Sequence, residues 1–107
     1  MKAAVITPYY KENLETLARC HLSVRAQKVN CRHFLVADGF ANETIRQWEC
    51  EHLSLSTSHH DNGNTPRTVG ALSAINKGYE VVFFLDADNW FTPNHASEAL
   101  KLKAKNP

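Results

Sequence analysis

Two aspartates one residue apart, Asp86-Ala87-Asp88, follow directly on an apolar run. Side chains two apart on extended backbone point the same way, so both carboxylates can share one target while Ala87 faces the opposite side. Hard carboxylate oxygens suit Mg²⁺ or Mn²⁺, which keep several waters and accept phosphate oxygens, so two protein carboxylates suffice. Arg67 follows Thr65-Pro66, where a helix is expected to open. A helix N-terminus already favours an anion, and a guanidinium there would suit a diphosphate. Asp38, just before Gly39, can accept from a base N–H or a ribose hydroxyl. Tyr9, beside Pro8, offers a ring that could stack on a planar base. Alone, each of these residues has a plainer reading: an acidic turn, a surface Arg, a turn-forming Asp, an aromatic covering the core edge.

Other chemistries fit less well. There are six histidines, with His59-His60 adjacent and His95 further on, but no pair has the i, i+4 spacing of a zinc helix or a cysteine partner nearby. Cys20, Cys31 and Cys50 form no C-x-x-C pair and no even set, so neither a disulfide framework nor a thiolate metal site is expected, and a reducing cytoplasmic setting fits best. Cys20 is expected to pack as a small apolar group. Neither standard glycine-rich phosphate loop is present.

The elements that must hold these residues alternate along the chain. Residues 3–7 form a short apolar run closed by Pro8, which reads as a strand buried on both faces. Asn13 can cap a helix running to about Gln27, with Leu14, Leu17, Ala18 and Leu22 as its apolar stripe. Residues 33–37 predict a second strand, and Asn42 caps a shorter piece with Ile45 and Trp48 inward. Residues 52–57 alternate weakly as a third strand. After a polar loop, Thr65 caps a helix with Val69, Leu72 and Ile75 facing inward and Gly78 as its left-handed stop. Residues 81–85 are the strongest strand signal and suit a central parallel strand. Thr92-Pro93 opens a last helix to about Ala104. The pattern predicts a three-layer α/β fold with a mainly parallel sheet of about four strands joined by right-handed crossovers. Such a sheet delivers every strand's carboxyl end to one edge, where Thr7-Pro8-Tyr9, Asp38-Gly39, the His59 to Arg67 loop and Asp86-Ala87-Asp88 are expected to fall.

Composition limits the partners. With 107 residues and 43% hydrophobic content, residues 1–107 are expected to form one small domain. Twelve basic against eleven acidic residues leave a formal charge of +1, so no nucleic-acid or anionic-membrane face is implied. No stretch approaches the roughly 20 apolar residues of a membrane span.

Taken together, Val5-Ile6-Thr7-Pro8-Tyr9-Tyr10, Phe34-Leu35-Val36-Ala37-Asp38-Gly39, Asn64-Thr65-Pro66-Arg67 and Phe83-Phe84-Leu85-Asp86-Ala87-Asp88-Asn89 resemble, in order and spacing, the nucleotide-binding half of family 2 glycosyltransferases with the GT-A fold. The resemblance implies a glycosyltransferase that moves a sugar from a nucleotide-diphospho-sugar, UDP-sugar first among them, to an acceptor hydroxyl. It implies that Thr7, Pro8 and Tyr9 line the base pocket, Asp38 binds the base, and Arg67 approaches the diphosphate. Asp86 would touch the ribose hydroxyls or water, and Asp88 would hold Mn²⁺ or Mg²⁺. Asn89 stands where many relatives have another acidic residue. Family members continue into an acceptor-binding half with a carboxylate general base, and no residue of this chain matches that base. The domain is therefore expected to be incomplete, with an open sheet edge that pairs with a second copy or a partner subunit. The alternative is a non-catalytic nucleotide- or metal-binding module. A haloacid-dehalogenase-like phosphatase also places Asp-x-Asp after an apolar strand, but Trp90 stands where those enzymes have Thr or Val.

Overall fold

In the computed structural model, which describes residues 2–105, the apolar runs become four strands: β1 (Ala3–Tyr9), β2 (Cys31–Asp38), β3 (Glu51–Leu55) and β4 (Val81–Phe84). Three helices connect or follow them: α1 (Leu14–Arg25), α2 (Asn64–Asn76) and α3 (His95–Lys105), with a 3-10 turn at Glu43–Gln47. All pairings are parallel and the sheet order is β3-β2-β1-β4. This is the expected α/β sheet, with β1 rather than β4 inside it.

β1 runs two residues further than its sequence suggests, through Pro8. Ile6 offers its carbonyl to Leu85 N–H at 3.0 Å, on the β4 side, and the β1–β4 register ends at Ile6↔Phe84. Pro8, two residues on, has the same orientation but no strand left beside it, so its missing N–H costs no ladder bond.

The two sheet faces are filled by different helices. Val5, Cys20, Val24 and Leu85 pack together under α1, next to a cluster of Tyr9, Leu17, Leu35, Ala37, Ile45 and Ala87. On the other face Ala4, Ile6, Phe34, Val36 and Ala74 pack under α2. The buried stripe of α1 is Leu17, Cys20, His21 and Val24, turned from the expected one, and Leu22 is exposed. The buried stripe of α2 is Pro66, Gly70 and Ala74, not Val69, Leu72 and Ile75. The reason is distance: a Cβ on Gly70 would lie 2.5 Å from Ile6 Cγ2 and 3.0 Å from Val36 Cγ2. The helix approaches the sheet so closely that only small residues fit beneath it, which leaves Leu72 and Ile75 outside.

Capping also shifts. Gly63, with φ 82°, is the N-cap of α2, and Asp61 Oδ2 accepts from the Thr65 N–H at 3.0 Å and from its hydroxyl. Asn13 caps α1 as expected, its Oδ1 accepting from Thr16 N–H at 2.8 Å. Gly78, at φ 89°, follows the end of α2. α3 starts at His95, later than Thr92-Pro93. Gln27 fixes that start, donating to Thr92 O at 2.8 Å and accepting from Ala96 N–H at 2.9 Å.

β4 is an edge strand, not a central one, and Phe84 is half-exposed on it. Among the described residues, no helix is long and apolar enough to cross a membrane.

Candidate functional site

A cleft of about 390 Å³ opens at the carboxyl edge of the sheet, within the size range of small-molecule sites. β1 supplies Pro8 and Tyr9, β2 supplies Asp38, the first turn of α2 supplies Arg67, and the turn after β4 supplies Asp86 and Asp88. Six of the seven expected site residues therefore meet in one place.

Thr7 does not join them. Successive strand residues face opposite ways, so Thr7 shares the α1 face with Val5. It is fully buried, its hydroxyl 2.7 Å from His33 Nε2. His33 in turn lies 2.9 Å from His21, Nδ1 to Nδ1, and His21 stacks between His33 and Trp48. Burial pushes His33 down to about 3, so the pair is neutral and one Nδ1–H donates to the other. Cys20 packs beside Thr7, and burial pushes its thiol up to about 11, which suits an inert packing residue.

Tyr9 reaches the cleft but offers no stacking face, being only 3% exposed. Its hydroxyl accepts from Asn42 N–H at 3.0 Å and lies 2.5 Å from His52 Nε2. Burial raises the phenol and lowers the imidazole, so a neutral hydroxyl donates to a neutral ring. The accessible ring beside it is Tyr10, which meets Phe40 and His60 edge-on.

Arg67 is doubly held. Its Nη1 donates to Asn62 O at 2.7 Å and its Nη2 to Asp86 Oδ1 at 2.7 Å. The guanidinium thus lies across the gap between α2 and the turn after β4. Ala87 is buried at 3% exposure while Asp86 and Asp88 both line the cleft, the alternation expected of Asp-x-Asp. Among the described residues no side chain pairs with the Asp88 carboxylate, whose backbone carbonyl accepts from Arg19 at 3.2 Å. The donor set is all oxygen: Asp86 Oδ2 and the Asp88 carboxylate. That set matches a hard divalent cation which takes its other ligands from water and phosphate. Among the described residues no three His, Cys, Asp or Glu side chains gather into a closed cage.

Asp38 is nearly buried and already engaged, its Oδ1 receiving both the backbone N–H and the ring nitrogen of His59. The parallel pattern places the His59 to Arg67 loop at this edge, but it does not single out His59 as the partner of Asp38. His60 and Asp61, from the loop expected at this edge, also line the cleft, and Glu12 joins them unforeseen. Asp61 did leave a signal, four residues ahead of Thr65 in a loop rich in Asn and Gly.

Solved structures share this fold. TarS of S. aureus, residues 1-349, superposes with a TM-score of 0.76 at 20% identity, covering 98% of this chain and 33% of that one. The same protein in complex with UDP gives 0.78 at 23%, and in complex with UDP-GlcNAc 0.76 at 21%, each covering 98% of this chain and 32% of that chain. The chain thus spans about a third of the length of these structures. No curated protein matches it. Residues 4–107, by contrast, match the profile described as "Glycosyl transferase family 2". With an α/β sheet of parallel strands carrying acidic and basic groups to one edge, the chain belongs to glycosyl transferase family 2.

Proposed function

We propose that this domain binds a nucleotide-diphospho-sugar, a UDP-sugar in first place, as the donor half of a glycosyltransferase that passes the sugar to an acceptor hydroxyl. The observation that carries the reading is the meeting of Arg67, at the first turn of α2, with Asp86 and Asp88 after β4. The UDP and UDP-GlcNAc in the TarS complexes fit the same assignment.

Charge argues for a cation. Glu12, Asp38, Asp61, Asp86 and Asp88 line the cleft against one guanidinium, that of Arg67, and such a wall repels a diphosphate. Asp88 and Asp86 Oδ2 would hold Mn²⁺ or Mg²⁺, which when bound supplies positive charge to the phosphate oxygens. Arg67 would orient the diphosphate and stabilise negative charge that builds as the nucleoside diphosphate departs. Asp38 would accept from the base N–H, and Pro8 and Tyr9 would close the base side of the pocket. No residue of this chain is assigned the proton of the acceptor hydroxyl. The open β4 edge is the proposed pairing site for a second copy, which light scattering at high protein concentration would report as a dimer and refute as a strict monomer.

Titration calorimetry of UDP and UDP-sugars with and without Mn²⁺ tests donor binding. Binding that appears only with the metal is expected, and no heat under either condition would remove the reading. A product assay separates transfer from binding alone: binding with neither transfer nor hydrolysis, even beside an acceptor-half partner, would leave a non-catalytic module.

A further inference from the structure

We propose that His59 is a positioning residue: it aims the Asp38 carboxylate at the base and so sets which bases the cleft accepts. The inference rests on the nucleotide reading above.

The geometry separates the two carboxylate oxygens. Oδ1 receives the His59 backbone N–H at 3.1 Å and lies 2.9 Å from His59 Nδ1. Oδ2 has only a longer 3.3 Å contact, to that same backbone N–H. The side chain is 10% exposed, and Asp38 lines the cleft. Two donors saturate Oδ1, so the acceptor capacity left for a ligand belongs to Oδ2. The carboxylate oxygen accepts in this contact, so Nδ1 carries the hydrogen that it receives.

The chain around this contact is built to keep it. Ser58 Oγ donates to Asp38 O at 2.8 Å, next to the His59 bonds. Gly39, with φ +101°, lets the two segments meet, since a Cβ there would lie 2.5 Å from Ser58 Oγ and 2.7 Å from Ser58 N. The His59 N–H and imidazole thus hold the carboxylate, while the Ser58 hydroxyl holds the Asp38 backbone beside it.

A fixed acceptor selects for a ring donor. Uracil presents N3–H, which can donate to Oδ2, whereas cytosine presents an unprotonated N3 whose lone pair faces the carboxylate. Discrimination is strong where a site's buried polar group would be left unpaired. If the ring of His59 is removed, the carboxylate gains freedom to turn and the penalty against cytosine falls. Asparagine at this position places its Nδ2 near the site of the imidazole Nδ1 and keeps the donor.

The test is calorimetry of UDP and CDP, each with Mn²⁺, on the wild-type chain, H59A and H59N. The wild type is expected to prefer UDP, H59A to lose about fivefold or more of that preference, and H59N to restore it. Should H59A not fold, H59S, too short to reach Asp38, makes the same measurement. An unchanged UDP-to-CDP ratio in H59A, equal losses for both ligands, or failure of H59N to restore the ratio would overturn the positioning role. A wild type that binds both equally overturns it as well. A wild type that binds no nucleoside diphosphate removes the functional reading, and this inference with it.

Discussion

Arg67 Nη2 donates directly to Asp86 Oδ1 across 2.7 Å, joining the first turn of α2 to the segment after β4. Asp86 is 54% exposed, so the pair is screened by water and worth at most about 1 kcal/mol. A phosphate can therefore compete for the guanidinium at little cost. The pair aligns the cation without locking it away, and Asn62 O keeps the guanidinium in place when Asp86 turns elsewhere.

Replacing Arg67 should separate phosphate from base recognition. For Arg67→Ala we expect UDP to bind about tenfold more weakly, the scale of a lost hydrogen bond to a charged group, with uridine unaffected. Arg67→Lys should recover part of the loss, because an ammonium keeps the charge but not the fork. Calorimetry with both ligands reads the difference, and equal weakening toward uridine would contradict a diphosphate role.

Asp88→Asn should abolish the dependence of UDP affinity on Mn²⁺ while leaving the fold intact. The carboxylate is exposed and pairs with no described side chain, so its loss should change stability by no more than about 0.5 kcal/mol. Affinity measured across a manganese titration, alongside thermal unfolding, checks both halves. Unaltered metal dependence would count against the proposed cation site.

Gly70→Ala tests the close approach of α2. Helix propensity alone favours alanine by about 1 kcal/mol. The new Cβ, however, would meet Ile6 Cγ2 at 2.5 Å in the fully buried centre of the sheet, and overpacking costs about 1–3 kcal/mol. We expect a net loss, seen as a lower urea midpoint. A gain would mean that the helix can lift off the sheet freely.

Acid should weaken the fold through His33. Burial holds its folded-state value at about 3, below the 6.5 of an exposed imidazole. Between these values the unfolded chain binds a proton that the folded chain refuses, so stability falls as pH drops below about 6.5, by up to about 1.4 kcal/mol per pH unit. His21 is lowered by burial in the same direction. Urea unfolding at pH 7, 6 and 5 should show this slope. His33→Asn should be less stable at pH 7 yet respond less to acid.

Much of this architecture was legible because strong local signals and global packing agree. The run before Asp86 forms a strand and Asn13 caps α1 as the sequence suggests, although that strand lies at the sheet edge, and the chain-order pattern brings Asp38, Arg67, Asp86 and Asp88 together. What was hidden depends on distance rather than pattern. The α2 stripe reads as Val69, Leu72 and Ile75 until the gap to Ile6 is known, because small residues look featureless in one dimension. Thr7 shares its face with Val5 and Tyr9, and only its depth beneath α1, beside His33, separates it from the cleft. The His59 contact with Asp38 arises from two loops meeting, which no spacing within either loop reveals.

The central place of β1 has a consequence for how the molecule is made. Within this domain β1 leaves the ribosome before both of its neighbours, β2 from residue 31 on one side and β4 from residue 81 on the other. Its β4 flank therefore stays unpaired until about fifty residues after β2 begins to emerge. Long-range parallel pairing is slow, so a nascent chain should depend on protection from aggregation until the second flank arrives.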